Sequence, residues 1–187
     1  DGPGLPVTIG ASGSYRLTSN LTVPNPATTA ISVVADNVAV DLGGFSILGP
    51  NSCSSNGCSA SGSGGGIVGS NAQGVSVSNG TIQGMGANGI ELGFAARVER
   101  VLVRSNGIVG IFAGPASVVL ANRVIDNGNG GMLLDRECVY ADNVIVTDGL
   151  GASVAFASGV ATATGGNVCD DKLCSGRGER RYYLTKT

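Results

Sequence analysis

The sequence predicts an all-β parallel solenoid of about seven coils, each made of short strands joined by turns. The first observation is a period: from residue 77 onward similar ten-residue segments recur every 21 residues, at 77–86, 98–107, 119–128 and 140–149. The second is that apolar residues alternate over short runs inside each repeat, with Asn-Gly pairs between runs, a pattern typical of strands and tight turns. Because 21 residues are too few for two packed helices, we expect three short strands per coil.

Parallel stacking at about 4.8 Å would place equivalent residues in axial columns. The period puts Val98, Val119 and Tyr140 in one inward column. It also predicts two polar columns, in which Asn side chains hydrogen-bond along the axis and to turn backbone groups. Glycine makes up 32 of 187 residues, which we ascribe to turns that need a positive φ. The polar columns are Asn106, Asn127 and Asp148, and Asn122 and Asn143.

The repeat also suggests a division of the chain. An early segment, 37–49, matches 74–86 after one period plus a Ser/Gly-rich insertion at 50–65. We therefore expect an N-terminal cap or strand segment (1–29), a solenoid (30–168) and a disulfide-clamped tail (169–187). The tail is basic, contains Tyr-Tyr-Leu and breaks the repeat. It could pack along the solenoid or reach a neighbouring molecule, or the natural chain could continue beyond it.

Composition narrows the function. Charged residues are 13% and aromatics 4%, with no Trp and no His. The net charge of −2 gives no basic field for nucleic acid. No apolar run is long enough to span a membrane. The absence of His removes the usual general base, His-ligated zinc and Ser-His or Cys-His catalysis. We expect neither a cofactor nor a metal.

The cysteines indicate the compartment. Cys53 with Cys58, and Cys169 with Cys174, share the spacing C-x4-C in turn-rich segments. We interpret them as two local disulfides of an oxidising compartment, and therefore expect a secreted or cell-surface protein. The alternative is one four-Cys zinc site, which is disfavoured because about five coils, roughly 24 Å, would separate the pairs. Cys138 lies in an apolar run and is expected to be a small buried residue.

Two parts of the chain carry a family resemblance. The segments GSYRLTSNLTV (13–23) and AISVVADNVAVDLGGFSILG (30–49) resemble the opening of bacterial right-handed parallel β-helix proteins. The later V-x-x-N-x-V-x-x-N-G units resemble the repeat of the pectate-lyase-like superfamily, and the resemblance covers roughly residues 12–168. It implies a right-handed parallel β-helix. It implies little about function, because that fold hosts lyases, hydrolases, epimerases, phage adhesins and structural proteins.

In polysaccharide lyases of that superfamily, acidic residues on adjacent coils hold calcium and a Lys or Arg removes a proton. The resemblance fails for this site, because the acidic residues of the later repeats do not share one outward column. A groove could still join Glu91, Arg97, Glu99 and Arg100. We assign no catalytic residue and favour a non-enzymatic role. The acidic residues compared are Asp126, Asp135, Glu137, Asp142 and Asp148.

The residues at outward positions change from charged to apolar along the repeats. The first regular coil carries Glu91, Arg97, Glu99 and Arg104 at outward positions, whereas the following coils carry apolar residues there. Because half-solvated strands should be polar outside, the apolar positions predict an interface. Alternatively, a bulge could shift the inward/outward alternation by one residue, so that positions counted here as outward would point inward. The predicted interface residues are Phe112, Val118, Leu120, Ile125, Leu133, Val139, Val144 and Val146.

These observations favour a secreted structural or adhesin-like module that self-associates through an apolar flank or its open ends. The partner would be another copy, or a further domain of a longer protein. The alternatives are a lyase on an acidic polysaccharide and a non-catalytic glycan-binding module. The second is weakened by the lack of Trp and the scarcity of aromatic residues for stacking on sugars.

Overall fold

The computed structural model describes residues 4–54, 57–146, 152–170 and 172–173. The chain winds through seven coils whose strands pair in parallel with the next coil, and it forms three faces. No helix occurs in these ranges, and none of their segments is a helix able to span a membrane. The predicted all-β parallel β-helix is confirmed.

The strands divide among the faces as follows. Face 1 contains β1 (Val7–Ile9), β4 (Ile31–Val33), β7 (Ile67–Gly69), β9 (Ile90–Leu92), β11 (Val109–Ala113), β14 (Gly130–Leu134) and β17 (Ala152–Phe156). Face 2 contains β2 (Gly13–Arg16), β5 (Val38–Asp41), the first halves of β8 (Ser76–Gln83) and β10 (Arg97–Arg104), β12 (Val118–Leu120), β15 (Val139–Ala141) and β18 (Thr162–Thr164). Face 3 contains β3 (Leu21–Thr22), β6 (Ser46–Leu48), the second halves of β8 and β10, β13 (Arg123–Ile125), β16 (Val144–Val146), β19 (Val168–Cys169) and β20 (Lys172–Leu173).

The predicted columns are present. Val98 pairs with Val119, and Val119 pairs with Tyr140. All three side chains are at most 2% exposed, so this column lies in the core. Residues 7–22 form a first coil, because β1, β2 and β3 pair in parallel with β4, β5 and β6. The division into cap, solenoid and tail stays a prediction, and residues 174–187 lie outside the described residues.

Buried asparagines join the coils where face 2 turns into face 3. Asn122 donates from Nδ2 to Asn143 Oδ1 at 3.0 Å, as predicted, and Asn143 donates in the same way to Asn167 Oδ1 at 3.0 Å. Asn167 extends the column beyond the prediction because it follows Asn143 by 24 residues instead of 21. A second pair, Asn106 and Asn127, is bonded at 2.9 Å, whereas Asp148 lies outside the described residues.

The prediction that glycines serve positive-φ turns is confirmed at positions such as Gly74 and Gly84, but it is wrong for the described glycines that close a repeat. Gly107 and Gly128 do not have a left-handed backbone, whereas Ala121 has a φ of 54° at a turn. The closing glycines are needed because coils approach closely there. A Cβ on Gly107 would collide with the carbonyl oxygen of Gly86, and one on Gly128 with that of Gly107.

The insertion crosses these glycines as a strap, which we define as residues 50–65. A Cβ on Gly107 would lie 2.8 Å from Ala60 Cα. The predicted disulfide between Cys53 and Cys58 is confirmed, and the Cys58 sulfur lies 2.6 Å from the carbonyl oxygen of Asp126. The strap therefore begins after the second coil, is hydrogen-bonded to the carbonyl oxygen of Pro26 through the N–H of Gly64, and reaches Asp126 at the end of the fifth coil. Cys174 is not among the described residues, so its pairing with Cys169 stays a prediction.

Candidate functional site

Face 2 changes its chemistry along the solenoid axis. One outward column reads Ser76, Arg97, Val118, Val139, and its neighbour reads Ser78, Glu99, Leu120, Ala141. The backbone register is the same throughout, yet side chains change from polar to aliphatic between the fourth and fifth coils. We call the aliphatic group the apolar square, and it consists of Val118, Leu120, Val139 and Ala141.

None of the eight predicted interface residues belongs to the buried core. Seven are half-buried, and Val144 is 36% exposed. They do not share one flat flank, but form a belt around the fifth and sixth coils. Whether this belt contacts a partner stays a prediction. Phe112 and Leu133 lie on face 1, Val118, Leu120 and Val139 on face 2, and Ile125, Val144 and Val146 on face 3.

The predicted interface residues do not include Ala141, which completes the square, although the 21-residue period places it at the same outward position as Leu120. It is outward in register with Leu120, yet only 8% exposed. Strand alternation indicates this position: Tyr140 is the middle residue of β15 and points inward, so Val139 and Ala141 on either side of it point outward.

A polar strip lies on face 2 and its corner with face 3 in the first four coils. Its residues are Arg16, Asp41, Asn79, Arg97, Glu99 and Arg100.

Contacts in the strip run from coil to coil. Arg100 Nε donates to Asn79 Oδ1 at 3.0 Å, and Asn79 Nδ2 donates to Asp41 Oδ1 at 3.1 Å. Glu99 accepts hydrogen bonds from Arg97 at 2.8 Å and from Arg100 at 2.7 Å. The strip is therefore a network of ion pairs and of hydrogen bonds made by the Asn79 side-chain amide, on an exposed surface.

The carboxylates of the strip are held in their charged form. The hydrogen bond from Arg97 lowers the pKa of Glu99, and both guanidinium charges act in the same direction. The pKa of Asp41 is lowered by the backbone N–H of Gly43 and by Asn79. A general acid at neutral pH would need a raised pKa instead. Glu99 and Asp41 therefore do not fit the role of a general acid at neutral pH.

The groove proposed from the sequence is only partly formed. Arg97, Glu99 and Arg100 meet, but Glu91 lies on face 1, where it accepts hydrogen bonds from Ser70 and Asn88 at 2.7 and 2.9 Å. A corner separates Glu91 from the strip, which explains the error. No group of three or more metal-ligating side chains occurs in the part of the chain that the structure describes.

The N-terminal end of the solenoid opens into a recess of about 770 Å³. Half-buried Tyr15, Leu17 and Leu21 line it, and the outer edge of β1 borders it. Among the described residues, β1 pairs only with β4, so its outer edge borders this recess, and whether this end contacts a partner stays a prediction.

Glu99 provides a test of the strip. Since its pKa is lowered on folding, its contribution to stability is present above the unfolded-state value of about 4.3 and is lost as the pH falls through the folded value. We expect Glu99→Gln to cost up to about 1 kcal/mol at pH 7 and to make the acid loss of stability shallower. Urea unfolding between pH 7 and 3 measures this.

The control is Glu137→Gln, since Glu137 is exposed and makes no ion pair with other described residues. Equal pH profiles for the two variants would contradict a stabilising role of the Glu99 ion pairs.

Comparisons with known proteins show the fold and no family. No protein-family model matches the chain, and no curated protein matches it. The chain is similar to a solved structure described as the Dettilon tailspike protein (gp208), at 13% identity and a TM-score of 0.50. The match covers 87% of this chain but 38% of the tailspike chain. It supports a β-helix, whereas membership of the pectate-lyase-like superfamily stays a prediction.

Proposed function

We propose that this chain is a non-enzymatic β-helix module of a secreted or surface-exposed assembly, and that it self-associates through the apolar square. The observation that carries the proposal is the switch on face 2 from Arg97 and Glu99 to Val118 and Leu120 at unchanged register. Strands that face water favour polar residues outside, whereas strands covered on both faces are aliphatic throughout. The square therefore has the composition of a covered surface.

The surroundings of the square suit an interface. The centre of a protein interface is apolar and its rim is polar. Arg97 and Glu99 border the square on one side, and Thr162 and Thr164 border it on the other. A stable interface needs about 800 Å² from each partner, so the square would be the centre of a larger contact.

Two further observations support a surface role. The Cys53–Cys58 disulfide is compatible with an oxidising compartment. The similar solved structure is a tailspike protein by its description. Neither observation identifies the partner, which we take to be a second copy of this chain.

A glycan-binding function is the second candidate, and the polar strip favours it. Its exposed guanidinium and amide groups are suited to sugar hydroxyls and carboxylates. Binding to a glycan array that is lost in Arg100→Ala would support this function. Release of unsaturated sugars from an acidic polysaccharide would instead favour a lyase.

The proposed self-association is tested with Leu120→Asp. A carboxylate at the centre of the interface would be buried without a partner, so we expect the dissociation constant of the assembly to rise about 100-fold or more. Sedimentation velocity of the variant and the wild type at matched concentrations measures the change.

Ser78→Asp is the matched control, because Ser78 lies in the same outward column two coils earlier, where Asp41 and Glu99 already occur. It should leave the assembly unchanged. An assembly that survives Leu120→Asp would overturn the role of the square and point to the solenoid ends.

A further inference from the structure

The corner between faces 1 and 2 carries an outward column of side chains, which we call the first corner column. Each of its residues accepts, through its backbone carbonyl, a hydrogen bond from an N–H of the preceding coil at 2.8–3.1 Å. Phe94 and Val160 are 48% and 70% exposed, so this corner adds exposed apolar surface beside the square. From the third coil to the seventh, the column reads Gln73, Phe94, Pro115, Arg136 and Val160.

The corner between faces 2 and 3 carries a second corner column. Its members directly follow the outward column that contains Ser78 and Leu120, and their backbones share a left-handed φ of 53–71°. Arg100 is exposed, and so is Asp142, which makes no ion pair with other described residues. From the third coil to the seventh, this column reads Asn79, Arg100, Ala121, Asp142 and Gly165.

Face 2 therefore presents four columns, and a two-fold axis parallel to the solenoid axis would exchange them in pairs. In such a contact the same surface of each copy packs on the other. Each coil stays level with the same coil of the second copy, while left and right are reversed. The two corner columns then face each other, and the outward column from Ser76 to Thr162 faces the one from Ser78 to Thr164.

The fourth coil supplies the charged contacts. Arg97 faces Glu99 of the second copy there, and the two-fold axis generates this ion pair twice. Arg97 places Nε and Nη2 2.8 and 2.6 Å from Glu99 Oε2 of its own chain, and the other donors of its guanidinium stay available to a second carboxylate. Phe94 faces Arg100, whose flat guanidinium can stack on the ring while its edge keeps its hydrogen bonds within the chain.

The other coils of this contact also match. Arg136 faces Asp142 at the sixth coil, where neighbouring Glu137 offsets part of the attraction. No facing pair carries two charges of the same sign. The uncharged pairs join amides, hydroxyls or apolar groups, and they are Gln73 with Asn79, Ser76 with Ser78, Pro115 with Ala121, Val118 with Leu120, Val139 with Ala141, Val160 with Gly165, and Thr162 with Thr164.

The opposite orientation lacks these matches. A two-fold axis along the strands would centre on the square and reverse the order of the coils, so that the fourth coil faces the seventh. Arg97 would then face Thr162, and the neighbouring Glu99 would face Thr164. Because no charged residue faces an opposite charge in that contact, the charges favour the parallel orientation.

We propose that a second copy packs against face 2 about a two-fold axis parallel to the solenoid axis, with the third to seventh coils of both copies side by side. The apolar square lies at the centre of this contact, and the pairs between Arg97 and Glu99 set its register. The corner columns widen the contact, and five coils extend it over about 24 Å along the axis. This inference rests on the proposed self-association and specifies its geometry.

Mixing two charge-reversed variants tests the orientation. In Arg97→Glu alone, and in Glu99→Arg alone, like charges would face each other at both symmetric sites, so we expect the dissociation constant of each assembly to rise about tenfold. In a 1:1 mixture, opposite charges would again face each other at both sites. We expect the mixed assembly to regain the wild-type affinity within about threefold, as measured by sedimentation velocity.

Arg16→Glu is the control, because Arg16 lies in the first coil, where uncharged Ser14 would face it. It should assemble like the wild type. A mixture that assembles no more tightly than either variant alone would overturn the parallel arrangement but leave the square in place. A wild type that is monomeric at every concentration would overturn this inference together with the proposed self-association.

A distance between the two copies provides a second readout, which uses neither charge-reversed variant. Ser14 is exposed on face 2 of the first coil, and a nitroxide at Ser14→Cys lies outside the contact. Among the described residues, Cys138 is the free cysteine, and it is buried and should not react. The parallel arrangement predicts a separation below about 25 Å by pulsed electron paramagnetic resonance. A separation above about 40 Å, which corresponds to nine coil spacings of about 4.8 Å, would establish the reversed orientation and overturn the proposal.

Discussion

Gly107→Ala is expected to destabilise the solenoid by about 3 kcal/mol or more, although it adds one methyl group. The new Cβ would collide with the carbonyl oxygen of Gly86 and lie 2.8 Å from Ala60 Cα. Both are backbone atoms, so no side chain can rotate away, and either the coil spacing or the strap must shift. For a chain of this length, the melting temperature should fall by about 6–12 °C. Thermal unfolding followed by circular dichroism measures it.

Gly10→Ala is the matched control. An added Cβ there meets no atom within 4 Å, and Gly10 does not have a left-handed backbone. It should melt at or slightly above the wild-type temperature, because alanine restricts the unfolded chain more than glycine does. If Gly107→Ala melted like Gly10→Ala, the close approach of coils at this corner would be refuted.

Asn143→Ala is expected to cost about 4 kcal/mol, because one side chain satisfies several buried groups. Asn143 Oδ1 accepts from the backbone N–H and the Nδ2 of Asn122, both at 3.0 Å. Its Nδ2 donates to the carbonyl oxygen of Val119 at 2.9 Å and to Asn167 Oδ1 at 3.0 Å. Alanine would remove the acceptor of the buried Asn122 backbone N–H, and it would remove one of the two hydrogen bonds of Asn122 Nδ2 and of Asn167 Oδ1, in a site that is 0% exposed.

Urea unfolding measures the loss, with Asn129→Ala as the control. Asn129 is exposed on the corner between faces 3 and 1, and its side chain makes no hydrogen bond with other described residues. We expect it to unfold within about 0.5 kcal/mol of the wild type. A similar loss in both variants would show that the asparagine column has no special structural role.

The sequence was sufficient to predict the features that repeat. Equal spacing placed Val119 beneath Tyr140 and Asn122 beneath Asn143, because side chains at the same phase of the coil must stack. Asn167 was missed because the last described coil is longer, so a fixed period of 21 no longer finds its partner. Periodicity thus predicts contacts only where coil length is constant.

The contacts of the site depend on corners, which carry no clear sequence signal. Asn79 donates a hydrogen bond to Asp41 across 38 residues, an offset that includes the insertion, so the sequence predicted the grouping of Arg97, Glu99 and Arg100 but not the extension of the polar strip to Asn79 and Asp41. Glu91 was grouped with Arg97 although a corner places them on different faces. The need for glycine at position 107 also depends on the strap, whose path over the later coils cannot be predicted from its Ser/Gly-rich composition.

The most direct test of the central claim is the molar mass of the wild-type chain by sedimentation equilibrium over a wide range of concentrations. The apolar square on face 2 predicts a discrete assembly whose mass is a multiple of the chain mass and whose population grows with concentration. A mass equal to that of one chain at every concentration would contradict the account.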